Sequence, residues 1–169
     1  NACISVDNQI IDKNYNLEIC LGNDSKYDND EVLENLKYHY EVKTKILISK
    51  NHEKPGAGNS RNAALSISKG ELIAFLDADD VWSKYKIQKQ INLWEKGYNF
   101  ISTSYSYENT FLKADPPSFL FSKKQLFLSW KPIGTSTVLL DFNLIKNEKF
   151  SNIEFCQDLL FWAKVFEKE

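Results

Sequence analysis

The sequence predicts an α/β domain with a mostly parallel central sheet flanked by helices, and three observations lead there. Short apolar runs alternate with longer mixed segments along all 169 residues, the pattern of strands separated by helices. Leu72-Ile73-Ala74-Phe75-Leu76 is an unbroken apolar run, as in a strand covered on both faces, which predicts a central place in the sheet. Hydrophobic residues make up 43% of the chain and aromatic ones 14%, enough to fill one core and to exclude global disorder. The length fits a single domain over 1–169.

The elements follow in order. Leu17 to Leu21 reads as a first strand, followed by a polar, turn-forming stretch from Gly22 to Asp28. Val32, Leu36 and Tyr40 recur at helical spacing and predict a helix over 31–40. Lys45 to Ser49 is a second strand, and Pro55-Gly56-Ala57-Gly58 breaks the chain before a helix over Asn59 to Ser68, with Gly70 as its stop. Glu71 to Leu76 is the third strand. Ser83 is placed to cap a helix over 84–96, with Ile87, Ile91 and Trp94 on one face and Gly97 closing it. A strand near Phe100 to Tyr105, a loop from Tyr107 to Pro117, a short helix from Ser122 to near Trp130 and a β-rich segment from Thr135 to Leu140 come next. Asn152 to Lys168 closes the chain as a helix with Phe155, Leu159, Trp162 and Phe166 inward.

Composition narrows the function. A net charge of −2, from 21 basic and 23 acidic residues, offers no footprint for a nucleic-acid backbone. Cys3, Cys20 and Cys156 are too few and too scattered for a disulfide framework or a zinc knuckle, which fits a reducing compartment. His39 and His52, the only histidines, are poorly placed for a Ser-His-Asp triad. No apolar run approaches the roughly 18 residues of a membrane span, and no signal pattern opens the chain, so a soluble, unexported protein is expected.

The strongest chemical signal is Asp77-Ala78-Asp79-Asp80, three carboxylates at the C-terminal end of a buried strand, where ligands bind in open α/β sheets. Like charges this close are most easily tolerated with a cation among them, and hard oxygen ligands favour Mg or Mn, which hold diphosphates well. The alternative is a solvated acidic turn. Asn23-Asp24-Ser25 follows the first strand and offers a carboxylate to a base or ribose, or else an Asx turn. Gly56 to Asn62 follows the second strand and brings backbone N–H groups and Arg61 to an anion. It is neither the dinucleotide fingerprint, since Arg61 stands where the third glycine belongs, nor a P-loop. Asp158, among aromatic and aliphatic neighbours in the last helix, is a candidate general base if burial raises its pKa, or else an acidic residue favoured by the helix N-terminus.

Taken together, Asn23-Asp24-x-x-x-Asp28, Gly58-x-x-Arg61-Asn62, the run from Lys69 to Trp82 and Gln157-Asp158-x-x-x-Trp162 resemble the family 2 glycosyltransferases of the GT-A fold, in order and spacing, over nearly the whole chain. The resemblance implies an inverting transfer of a sugar from a nucleotide-sugar, usually a UDP-sugar, to an acceptor hydroxyl of a glycan or lipid-linked acceptor. It also implies a divalent Mg or Mn on the diphosphate. Asp24 matches the acid that contacts uracil, with Asn23 where an aspartate is usual. Asp77 and Asp79 match the Asp-x-Asp pair for ribose and metal, and Arg61 a position near the donor. Asp158 matches the catalytic base and Trp162 shapes the acceptor side, while Gln157 replaces a glutamate. The usual setting is bacterial surface polysaccharide assembly, in the cytoplasm or peripherally at the inner face of the membrane.

In one respect the sequence departs from that family. Asn1 to Gln9 resembles the helix that follows the family's first strand, with Ile4 and Val6 partly inward, and the chain stops just after the catalytic helix. A GT-A-like domain truncated at both ends, lacking an inner strand, is therefore expected. Two alternatives follow: a non-catalytic nucleotide-binding remnant, and a haloacid-dehalogenase-like phosphatase with Asp77 as nucleophile, whose apolar-run-then-Asp-x-Asp motif is literally satisfied.

Overall fold

The computed structural model describes residues 1–107, the backbone of 113–114, and 133–167. The order is α1 (Ala2–Asp7), β1 (Glu18–Asn23), α2 (Asn29–Glu34), β2 (Lys45–Lys50), α3 (Ala57–Leu65), β3 (Leu72–Ala74), α4 (Lys86–Trp94), β4 (Phe100–Ser102), β5 (Tyr105–Ser106), β6 (Lys113–Ala114), β7 (Val138–Asp141) and α5 (Gln157–Val165). The helix expected from Ser122 to near Trp130 lies outside the described residues. So does most of the expected loop from Tyr107 to Pro117, although β6 inside that stretch pairs antiparallel with β5.

The α/β class holds, with mixed strand directions. β1 and β2 are parallel, in register from Glu18 opposite Lys45 to Asn23 opposite Lys50. β7 lies between β3 and β4, antiparallel to both. It is therefore β7 that is central in this trio, with Val138, Leu139 and Leu140 at most 2% exposed, whereas among the described residues β3 is hydrogen-bonded on one edge only. Apolar residues on both faces set how deep a strand lies, not which way its neighbour runs.

Side chains alternate across this trio as the pleat requires. Ile73 and Phe75, with Val138 and Leu140, pack on Phe161, Trp162 and Val165 of α5. Leu139 and Ile101 pack on Ile87 and Ile91 of α4 from the opposite side, with Leu72 and Ala74 beside them. Stacked Phe150 and Phe161, 3.9 Å apart, extend the α5 side. α5 is shorter than the pattern predicted. Cys156 takes a left-handed backbone (φ 57°) that turns the chain into the helix, and Phe155, expected inward, is 76% exposed.

Local capping differs from expectation in two places. α2 starts at Asn29 because Asp28 caps it, accepting from the Glu31 N–H at 2.9 Å while Glu31 accepts from the Asp28 N–H. α4 is not capped by the Ser83 side chain; Gln9, from the end of α1, accepts the Ile87 N–H at 3.1 Å. α1 is also held from its other side. The Asp7 carboxylate accepts from the N–H groups of Lys43 and Thr44 and from the Thr44 hydroxyl. Burial alone would raise that carboxyl, but these bonds outweigh it and hold the pKa below the usual value.

β1 and β3 are not hydrogen-bonded to each other. Between them opens a cavity of about 1560 Å³ lined in part by Ile19, Leu21, Leu72, Ala74, Ile87 and Trp94. That exceeds the roughly 300–1,000 Å³ of ordinary ligand pockets.

Candidate active site

The three strands β1, β2 and β3 each run into a loop that carries one part of the predicted site. After β1, Asn23 is 2% exposed and fully engaged: its carbonyl oxygen accepts from the Ser25 N–H and hydroxyl, and its amide donates to Tyr27 O and Asn29 Oδ1. An aspartate at this position would lose both donations, so Asn23 acts as the organiser of the turn. Lys50 reinforces the turn by donating to the carbonyls of Ser25 and Tyr27. Asp24, on the exposed side of that turn, accepts from Asn51 Nδ2 at 2.8 Å and from the Gly56 N–H at 2.9 Å. The loops after β1 and β2 are thereby joined through one carboxylate.

Arg61 sits on α3, whose approach to β1 depends on Gly22. A Cβ on Gly22 would lie 1.8 Å from the Ser60 carbonyl oxygen, so no larger residue fits there without moving the helix. Arg61 Nη2 donates to Asp77 Oδ1 at 2.6 Å, Nε reaches the same oxygen at 3.2 Å, and the guanidinium lies 5.4 Å from the Phe150 ring centre. Asp77 begins the carboxylate turn, closed by the Asp80 N–H to the Asp77 carbonyl at 3.1 Å. Asp79 and Asp80 are exposed on it.

Among the described residues no three metal-ligating side chains converge. Asp79 with the free oxygen of Asp77 fits the donor set of a Mg-type site, in which one or two carboxylates share the ion with substrate phosphates and water.

Asp158 stands in the first turn of α5, half-buried, with one carboxylate oxygen accepting from the Leu159 N–H at 2.8 Å. Asp158 is half-buried rather than enclosed, while Phe161 and Trp162 of the same helix are buried. Trp162 is 1% exposed, and its indole donates to Ile133 O within the core. Gln157 reaches α3 directly. A Cβ on Gly58 would lie 2.4 Å from Gln157 Oε1, so α3 and α5 touch through this glycine.

Asp24, Arg61, Asp77 and Asp79 therefore line one cavity, whereas Gln157, Asp158 and Trp162 do not. Other contacts at the site join residues far apart in the chain, including one made by Asn62 of the Gly58-x-x-Arg61-Asn62 motif. Asn62 holds Phe150 with a reciprocal pair, donating to its carbonyl at 3.0 Å and accepting its N–H at 2.9 Å. Asn51, Ser136 and the buried Lys86 and Gln90 have no signal in the sequence beyond being polar.

With that geometry in place, comparison with known proteins is decisive. Residues 2–153 match the family described as Glycosyl transferase family 2. The chain belongs to this family. The matched span contains Asp24, Arg61, Asp77 and Asp79, and ends before Asp158. Among curated members, the chain is 32% identical to the UDP-Glc:alpha-D-GlcNAc-diphosphoundecaprenol beta-1,3-glucosyltransferase WfaP of Escherichia coli, over 90% of this chain and 60% of that protein. It is 30% identical to the putative teichuronic acid biosynthesis glycosyltransferase TuaG of Bacillus subtilis, over 79% of this chain and 54% of that one. The fold matches S. aureus TarS 1–349 with a TM-score of 0.72 at 18% identity, covering 98% of this chain and 50% of that one. The chain thus spans about half to three-fifths of these relatives. The GT-A fold is established, and the phosphatase alternative falls with it. Asp77, its would-be nucleophile, is instead tied to an arginine. Among the described residues, no helix is long and apolar enough to cross a membrane.

Proposed function

We propose that this family 2 chain binds a UDP-sugar through Asp24, Arg61, Asp77 and Asp79 and transfers the sugar, with inversion, to an acceptor hydroxyl deprotonated by Asp158. The observation that carries the reading is the gathering of those four donor-side residues, just after β1, on α3 and just after β3, in one cavity. Asp24 retains lone pairs beyond its two loop contacts with which to accept from a base. Arg61 holds one oxygen of Asp77 and leaves the other turned to ligand. Bound at Asp79 and Asp77, Mg or Mn would neutralise charge on the departing diphosphate. Asp158, exposed enough to meet an acceptor, would take the hydroxyl proton.

The names of the relatives point to bacterial surface glycan synthesis and a lipid-linked diphosphate acceptor. Exposed Ile153, Phe155 and Leu160, flanking Asp158 in sequence, support an acceptor with an apolar part. A nucleotide-binding chain without turnover is the second reading. It is favoured by the separation of Asp158 from the cavity that holds the donor residues.

A screen of nucleotide-sugars by calorimetry and donor hydrolysis, with and without Mn, tests both. Metal-dependent UDP binding that becomes metal-independent in Asp79→Ala is expected. Binding without transfer or hydrolysis selects the second reading, and unchanged metal coupling in Asp79→Ala removes the metal role.

A further inference from the structure

The carboxylate turn from Asp77 to Trp82 is gripped at both ends by one residue that the functional reading does not use. Ser136 Oγ accepts the Asp77 N–H at 2.9 Å, and the Ser136 carbonyl accepts the Trp82 indole N–H at 2.9 Å. Ser136 lies in a tight turn, Thr135–Thr137, just before β7. That turn is itself fixed: the Thr137 hydroxyl donates to Gly134 O at 2.6 Å and lies 2.8 Å from the Ser102 hydroxyl.

Below it, α4 supplies a buried polar brace. Gln90, 1% exposed, donates to the carbonyls of Thr137 and Ile101 at 2.9 and 2.8 Å. Lys86, 6% exposed, donates to Gln90 at 2.7 Å and places its ammonium 4.4 Å from the centre of the Trp82 ring. The same Lys86-Gln90 pair thus touches both partners of the clamp, Trp82 on one side and the Ser136 turn on the other. Buried polar groups of this kind have few alternative partners, so their hydrogen bonds specify one arrangement.

We propose that Ser136 is a positioning residue of the donor site, a two-point clamp that fixes where Asp77 and Asp79 stand; the functional part of this rests on the donor reading above. The hydroxyl sets the start of the turn through the Asp77 amide. The carbonyl sets its end through Trp82, whose own N–H is held by Ser5 Oγ at 3.1 Å. Between these fixed points the Asp80 N–H closes the turn onto the Asp77 carbonyl, so Asp79 is carried on a short turn anchored at both ends, and its reach from Asp77 is limited before any ligand arrives.

Ser136→Ala removes the hydroxyl and keeps the carbonyl, and Ser136→Thr restores the hydroxyl. Amide hydrogen exchange of the ligand-free chain reads the clamp without reference to activity. The Asp77 amide should exchange about tenfold faster in Ser136→Ala, as for loss of one hydrogen bond, and return toward the original rate in Ser136→Thr, with the β3 and β7 amides unchanged. Calorimetry with Mn and UDP should show affinity about tenfold weaker in Ser136→Ala and recovered in Ser136→Thr. An unchanged Asp77 exchange rate in Ser136→Ala overturns the clamp. Faster exchange with unaltered Mn-UDP affinity overturns its role in the donor site. General loss of protection across β3 and β7 that Ser136→Thr does not repair shows a merely structural residue and also overturns it. If the unsubstituted chain fails to bind Mn-UDP, the donor reading falls, while the exchange comparison still decides the clamp.

Discussion

Arg61 holds Asp77 by a single oxygen. Both Nη2 and Nε converge on Oδ1, at 2.6 and 3.2 Å, and Oδ2 takes no part in the pair. The side chain of Asp77 is 36% exposed and that of Arg61 14%, so the pair straddles the edge of the cavity. Such an arrangement orients a carboxylate more than it stabilises a fold, since partly exposed ion pairs contribute about 1 kcal/mol or less.

Arg61→Ala should therefore weaken UDP binding while changing the urea-unfolding free energy by no more than about 1 kcal/mol. Arg61→Lys should fall between the two, because an ammonium cannot make the two-nitrogen contact. Calorimetry beside urea melts reads both numbers. A large stability loss with unaltered UDP affinity would make the pair structural.

Asp158→Asn removes the proposed base with almost no change of shape. Turnover should drop by about 100 to 10,000-fold with donor affinity preserved. Steady-state transfer assays paired with UDP calorimetry separate the two effects, and full activity in the variant would refute the assignment.

Lys86 provides a pH signature. Burial draws its ammonium down to about 7, with Gln90 and the Trp82 face as the partners left to the charged form. In the unfolded chain the same group titrates near 10.4. Below about 7 both states hold the proton; between about 7 and 10 only the unfolded state does, so stability rises with pH across that window, by at most about 1.4 kcal/mol per unit. Subtracting the unfolding free energies of Lys86→Met from those of the parent at pH 6, 8 and 9.5 should isolate this slope. A flat difference would mean that the amine stays charged in the fold.

Gly22→Ala tests the seating of α3. With the new Cβ placed 1.8 Å from the Ser60 carbonyl oxygen, the helix must lift from β1. The loss should lie at or beyond the upper end of about 1–3 kcal/mol. UDP affinity should fall with it, because Arg61 follows Ser60 on the same helix. Urea melts showing a loss below about 1 kcal/mol would contradict the close approach.

Local chemistry was readable where periodicity and burial agree. β1, β2, α3 and α4 lie within a few residues of where the apolar patterns put them, and the Asp77 to Asp80 turn follows its strand as expected. Caps and partners were less readable. Gln9 capping α4 and Asn62 pairing with Phe150 bridge positions 78 and 88 apart in the chain, and nothing in either local sequence announces the contact. At Asp158 the apolar neighbours in sequence divide between core and solvent: Phe161 and Trp162 are buried, Phe155 and Leu160 are exposed, and the carboxylate is half-buried between them in the chain.

By itself, then, the sequence determined the α/β class, the succession of strands and helices from β1 to β4, and the residue types at each strand end, since these follow from local periodicity and turn chemistry. Tertiary structure alone decided that β7 runs antiparallel at the centre of its trio, that Trp162 belongs to the core, and that Asp77 answers to both Arg61 and Ser136. Strand direction, side-chain burial and hydrogen-bond partnership depend on which segments meet in space. Residues 16 and 59 positions away from Asp77 leave no mark on the sequence around it.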